Sequence, residues 1–163
     1  MKESYGAAGI FTIVVTFIVL FTIYLSVSVN YAKAFKIKNH VISIIEENNG
    51  YTDSGLNNTQ SQIEKYLVAQ RYTAHGKTSI PEGWKNAGCV GQSSTLAGDC
   101  MATIFEVESS FKGSSSIKDP ICDDNTTRTY YKVVTYFNFV LPIINVNIPF
   151  RVSGDTGTIC KVN

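Results

Sequence analysis

Between Ser4 and Ala32 no residue carries a charge, and between Ile10 and Asn49 there is neither glycine nor proline. In the first of these runs Ile10, Phe11, Ile13, Val14, Phe17, Ile18, Phe21 and Ile23 fall on every side of a helical wheel. That pattern suits a helix surrounded by lipid or by similar helices. A hydrocarbon core about 30 Å thick takes roughly 20 apolar residues of helix, so this run crosses one with length to spare. Its β-branched residues disfavour a helix in water, but lipid offers the backbone no other partners. Tyr24 and Tyr31 stand towards the far end, where interfacial aromatics belong. After Ala32 the polarity rises and the period persists: Ala34, Ile37, Val41, Ile44 and Ile45 keep three-to-four spacing among Lys33, Lys36, Lys38, Glu46 and Glu47. Asn48-Asn49-Gly50 is a stop signal, with Gly50 expected in the left-handed conformation. The pattern predicts one helix on the order of 60 Å long. Residues 1–32 form a transmembrane segment, 33–50 an amphipathic continuation, and 51–163 a domain at its end.

Beyond Gly50 the signals are shorter. Gly50 to Gly55 reads as a loop, and Asn57 or Asn58 as the cap of a short helix reaching about Arg71, with Ile63 and Leu67 inward. His75 to Gly98 is glycine-rich and reads as irregular, with Trp84 plugging a core. The period then becomes two. Met101 to Phe111 predicts a strand, Lys112 to Thr126 a polar loop, and Thr127 to Leu141 the strongest strand, with Tyr131, Val133, Thr135, Phe137 and Phe139 on one face. Pro142 marks a turn. Ile144 to Val152 predicts a third strand, at an edge or bulged because of Pro149. Gly154 to Gly157 reads as a turn and Thr158 to Val162 as a short last strand. The fold class expected is α+β: a long helix packed on a small antiparallel sheet.

Four cysteines, Cys89, Cys100, Cys122 and Cys160, all lie in the domain, and none forms a CxxC pair. With two histidines in the whole chain, zinc ligation gives way to two disulfides. In a meander, the start of the second strand near Cys122 and the end of the third near Cys160 share one edge. That geometry favours Cys122–Cys160 and leaves Cys89–Cys100, although four cysteines allow three connectivities. The disulfides place the domain outside the cytoplasm of a single-pass protein. Lys33, Lys36 and Lys38 argue the reverse by the positive-inside rule. Lys2, the apolar run and Ser26-Val27-Ser28 also have the layout of a secretory signal peptide. Against that, the run is longer than such a region and the helical period continues through the cleavage site.

The net charge of +1 implies no nucleic-acid partner. The aspartates sit beside turn residues and act as turn formers. Asp123-Asp124-Asn125 lacks the ligand spacing of an EF-hand and reads as a solvated loop. No G-x-S-x-G or S-x-x-K context surrounds the serines, so no catalytic residue, metal, cofactor or small-molecule substrate is assigned. What remains is a stripe on the apolar helix. Ala8, Thr12, Thr16, Thr22 and Ser26 share one side, smooth enough for another helix to approach. Alternatively, each hydroxyl bonds the carbonyl four residues back.

A long amino-terminal helix, half apolar and half amphipathic, ending in a disulfide-stapled sheet, resembles type IV pilins and pseudopilins. The opening Met1-Lys2-Glu3-Ser4-Tyr5-Gly6 and the stretch Asn30-Tyr31-Ala32-Lys33-Ala34-Phe35, followed by Lys38-Asn39, Glu46 and Gly50-Tyr51, look more like the pseudopilins of Gram-positive tight-adherence (Tad-like) systems. The resemblance implies a subunit of a membrane-anchored surface filament or adherence apparatus, with other pilin-like subunits as partners through the helix. It also implies peptidase processing, for which Gly6 and Gly9 are the candidate positions. Type IV pilins carry a Glu five residues after that site, whereas here no acidic residue occurs between Glu3 and Glu46. The alternative function is a single-pass anchored domain that binds an extracellular partner and does not polymerise, using His75–Gly98 and Lys112–Thr126.

Overall fold

The computed structural model describes residues 2–55, 58–92, 98–109, 122, 126–141 and 146–162; at 2–7, 109, 126, 139–141, 146–149 and 162 it describes the backbone alone. Helix α1 (Lys2–Glu47) is followed by α2 (Thr59–Ala69) and strands β1 (Lys85–Val90), β2 (Ala102–Ser109), β3 (Thr126–Leu141), β4 (Val146–Asp155) and β5 (Ile159–Val162). The sheet is antiparallel in the order β1-β2-β3-β4, with β5 pairing β3. The chain is thus an α+β protein, a long apolar helix packed on a small antiparallel sheet.

α1 spans about 70 Å at 1.5 Å per residue, and only its second half meets the domain. Ala34, Ile37, Val41 and Ile45 are at most 1% exposed. They pack on Ala102 and Ile104 of β2 and on Tyr131, Val133 and Phe137 of β3. Three further contacts pin the helix to the strands. Thr135 Oγ1 donates to the Ala34 carbonyl at 3.3 Å. Tyr31 meets Phe137 edge-on at 6.1 Å. The Gly157 N–H donates to Glu46 Oε1 at 2.8 Å. Moving down the helix from Glu46 to Tyr31 therefore moves up β3 to Phe137, so helix and strand run antiparallel.

Helix α1 ends in a Schellman motif: Gly50 N–H donates to Ile45 O and Asn49 N–H to Glu46 O. The left-handed residue is Asn49, at φ 52°, and not Gly50 as expected; Gly50 follows at φ 133°. A Cβ on Gly50 would lie 3.1 Å from the Tyr131 hydroxyl. α2 starts where expected, with Asn58 accepting from Ser61 N–H at 2.7 Å. It ends in the same motif, with Tyr72 N–H on Leu67 O and Arg71 at φ 49°.

Two other expectations need correction. The segment His75–Gly98 is not irregular throughout, because it contains β1. A bulge at Asn86–Gly88 breaks that strand's alternation. Glycine at 88 leaves room for the Tyr51 ring, which a Cβ there would overlap. Gly154 to Gly157 is not a turn. β4 runs through Asp155, and the chain continues in the same direction into β5. Thr156 bridges the interruption, exchanging bonds with Tyr131 through its own N–H and its Oγ1. Pro149 stands opposite Asn138 in β4, an edge strand, where a missing N–H is tolerated. Pro142, Ile144 and most of Lys112–Thr126 lie outside the described residues.

The second face of the sheet has its own small core of Phe105, Val134 and Tyr136, with Trp84 packed against it. The segment before β1 folds over this face. Tyr136 Oη shares a 2.8 Å bond with Thr103 and donates to Thr78 at 2.8 Å. Gly76 lets the chain lie on the Tyr136 ring.

Ile45→Ala is expected to lower stability by about 3 kcal/mol, as a large-to-small change at a fully buried site. Arg71→Gly is expected to raise it by up to about 1 kcal/mol by relieving a left-handed non-glycine residue. Denaturant titration in detergent checks both.

Candidate functional site

The lower half of α1 carries most of the exposed large hydrophobic side chains among the described residues. Ile10, Phe11, Ile13 and Phe17 are 67–70% exposed. This is the one described helix long and apolar enough to cross a membrane, and none of its most apolar window is buried. An unpartnered apolar surface of this extent marks an interaction with lipid or protein.

The small-residue stripe lies on this half. Thr12, Thr16 and Thr22 donate to the carbonyls of Ala8, Thr12 and Ile18 at 2.8–2.9 Å. Their hydroxyls are therefore satisfied within the helix, which lowers the cost of placing them in an apolar medium. Ala8 is exposed and Ser26 partly buried. Counting 100° per residue, the stripe overlaps the side of the helix that carries the sheet. Gly6 and Gly9 both lie inside α1, and nothing stands within 4 Å of a Cβ added at Gly9.

The lysines that follow are not equivalent. Lys33 and Lys36 are exposed. Lys38 is 8% exposed, with its ammonium 4.2 Å from the centre of the Phe35 ring and its stem against Gly154. One of the three cations counted by the positive-inside rule is thus used in packing.

Cys89 bonds Cys100 and Cys122 bonds Cys160, leaving no free cysteine. The first clamps β1 to the entry of β2. The second ties the segment before β3 to β5. Such bridges belong to oxidising compartments.

The domain's outer face carries an open cleft of about 450 Å³ lined by His75, Lys77, Asp99, Tyr136, Phe150 and Arg151. A second cleft of about 300 Å³, which shares Arg151 with the first, is lined by Thr78, Ser79, Lys132 and Ser153. Lys132 is engaged there, 3.6 Å from Asp155 and 4.5 Å over the Trp84 ring. The cleft was not legible in the sequence, because it forms only when the segment before β1 folds across β3. Burial of its hydroxyl holds Tyr51 up at about 12, with Asp53 and Glu64 adding to the effect. The phenol is therefore neutral at physiological pH. Among the described residues no three His, Cys, Asp or Glu side chains gather as a metal site. Asp123-Asp124-Asn125 lies outside them.

Comparison of the chain with known protein families, curated proteins and solved structures finds no match.

The two bridges close loops of different length, with sequence separations of 11 and 38 residues. On the chain-entropy account they contribute about 3 and about 4 kcal/mol respectively. Replacing Cys122 and Cys160 together by serine is expected to destabilise the domain more than replacing Cys89 and Cys100. Unfolding midpoints of the two double variants check the order.

Proposed function

We propose that this chain is a non-enzymatic, pilin-like (pseudopilin) subunit of a membrane-anchored surface filament or adherence apparatus. In this reading the lower half of α1 sits in the cell membrane and packs against the helices of equivalent subunits. The disulfide-bonded domain faces away from the cytoplasm. The observation that carries the reading is the division of one unbroken helix. Its upper half is covered by the chain's own sheet through Ile37, Val41, Ile44 and Ile45. In its lower half Ile10, Phe11, Ile13 and Phe17 have no such cover among the described residues.

The stripe of Ala8, Thr12, Thr16, Thr22 and Ser26 supplies a close-approach face whose three threonine hydroxyls already have partners. Because Ala8, Thr12, Thr16 and Thr22 on that face are exposed, a neighbouring helix would slot beneath the domain. Processing at Gly6 or Gly9 would shorten the helix from its free end and leave this face intact. The cleft on the outer face supports the second reading, an anchored domain that binds an extracellular partner and never polymerises.

Single cysteines at Thr12 or Thr16 test the choice in intact bacterial cells, since the native cysteines are all bridged. The subunit reading expects oxidation to give covalent dimers from these positions and not from Val68→Cys on α2. Monomers alone, with the domain still folded and exposed to an impermeant probe, would support the anchored binder.

A further inference from the structure

We infer that the niche at the foot of the domain, between α1, the end of α2 and β3, holds the phosphate of an anionic phospholipid headgroup. The inference rests on the membrane-anchored reading of α1.

The first support is the lining. The niche has a volume of about 140 Å³ and is bordered by Asn30 and Lys33 of α1, Arg71 and Thr73 after α2, and Phe137 and Asn138 of β3. Among the described residues no acidic side chain lines it. Lys33 and Arg71 are exposed, and neither has an acidic partner among the described residues. Two cations that separate elements bring to one niche repel each other, and an anion between them turns that repulsion into attraction. A guanidinium meets phosphate oxygens as a fork, and an ammonium adds a point charge. The two asparagine amides and the Thr73 hydroxyl supply further donors.

The second support is the backbone at Arg71. This residue follows α2 at φ 49°, a left-handed position that glycine takes at no steric cost. What arginine adds there is its side chain at the niche. The carbonyls at the end of α2 would oppose an anion. Those of Tyr66, Leu67 and Val68 already accept from the N–H groups of Gln70, Tyr72 and Arg71.

The third is level, and it is independent of the lining. From Ile10 to Val29 the helix covers about 30 Å, the thickness of a hydrocarbon core. Asn30 is the next residue, and Lys33 is the first charged residue after Glu3. Both therefore stand within about 6 Å of the core's edge, in the headgroup layer. The exposed rings of Tyr24 and Tyr31 bracket the same boundary. At that height the anion within reach is a lipid phosphate. This use of Lys33 suits a domain outside the cytoplasm, where the positive-inside rule would not place the residue.

Native mass spectrometry of the full chain tests the assignment. The protein is released from detergent containing equal amounts of phosphatidylglycerol and phosphatidylcholine, and the lipids it retains are counted. One phosphatidylglycerol is expected, in about fivefold or greater excess over phosphatidylcholine. Lys33→Gln together with Arg71→Gln is expected to abolish the excess, and Lys36→Gln, outside the niche, to keep it. Arg71→Gly separates site from fold: it is expected to be at least as stable as the parent chain and yet to lose most of the excess. No excess in the unaltered chain overturns the inference, as does an excess that survives the paired substitution or falls equally with Lys36→Gln. Displacement of the lipid by millimolar inorganic phosphate, with phosphate bound in its place, assigns the niche to free phosphate and also overturns it. Resistance of the vesicle-reconstituted chain to alkaline carbonate reports the anchor separately. A resistant chain without the excess loses the inference and keeps the anchor, whereas a chain that alkali extracts loses both. Circular dichroism and intact disulfides certify each variant as folded.

Discussion

The structure depends on one contact: the stripe of Ala34, Ile37, Val41 and Ile45 lying antiparallel on the inner face of β3. Everything else is arranged around it. β3 is the strand that pairs with β2, β4 and β5, so it sets the sheet. Its inner face bears Tyr131, Val133 and Phe137 because residues two apart share a side of a strand. The helix supplies matching side chains because three-to-four spacing puts them on one stripe. Two periods meet in one plane, and the burial at that plane fixes the sheet's direction relative to the helix. The polar contacts at either end of the helix–sheet interface, Thr135 to Ala34 and Gly157 to Glu46, prevent sliding along the helix.

From that constraint the functional division follows. A domain this small has one good inner face, and it spends that face on its own helix. Among the described residues nothing covers Ile10, Phe11, Ile13 or Phe17 in the lower half of α1, so that apolar surface calls for a partner of its own, lipid or protein. The disulfides reinforce the domain at points the helix contact does not hold, the β1 edge and the β5 end. The proposed filament role is a consequence of the same geometry. The helix reaches beyond the sheet, and β3 and β4 accompany it part of the way.

Much of this was legible in the residues. The breaker-free run announced α1, the alternation from Thr127 to Leu141 announced β3, and the Asn57-Asn58 pair announced α2, with Asn58 the cap in the structure. Strand β1 was hidden because Gly88 and the bulge beside it erase the alternation, and because glycine there serves the Tyr51 ring from a distant loop. Gly154 and Gly157 resembled a turn, yet they serve other contacts. One makes room for Lys38, and the other donates to Glu46. The outer cleft depends on where the chain from His75 to Trp84 folds.

The central claim is that α1 carries its domain as one rigid, unbroken rod. Spin labels on Val68 and, in turn, on Val29, Tyr24, Leu20 and Phe17 test it in a bilayer by pulsed dipolar spectroscopy. A rigid rod predicts narrow distance distributions whose means shift steadily as the helix label descends, approaching about 1.5 Å per residue at the far end. Distributions that broaden abruptly below Asn30, with means that stop increasing, would show a hinge and contradict the account.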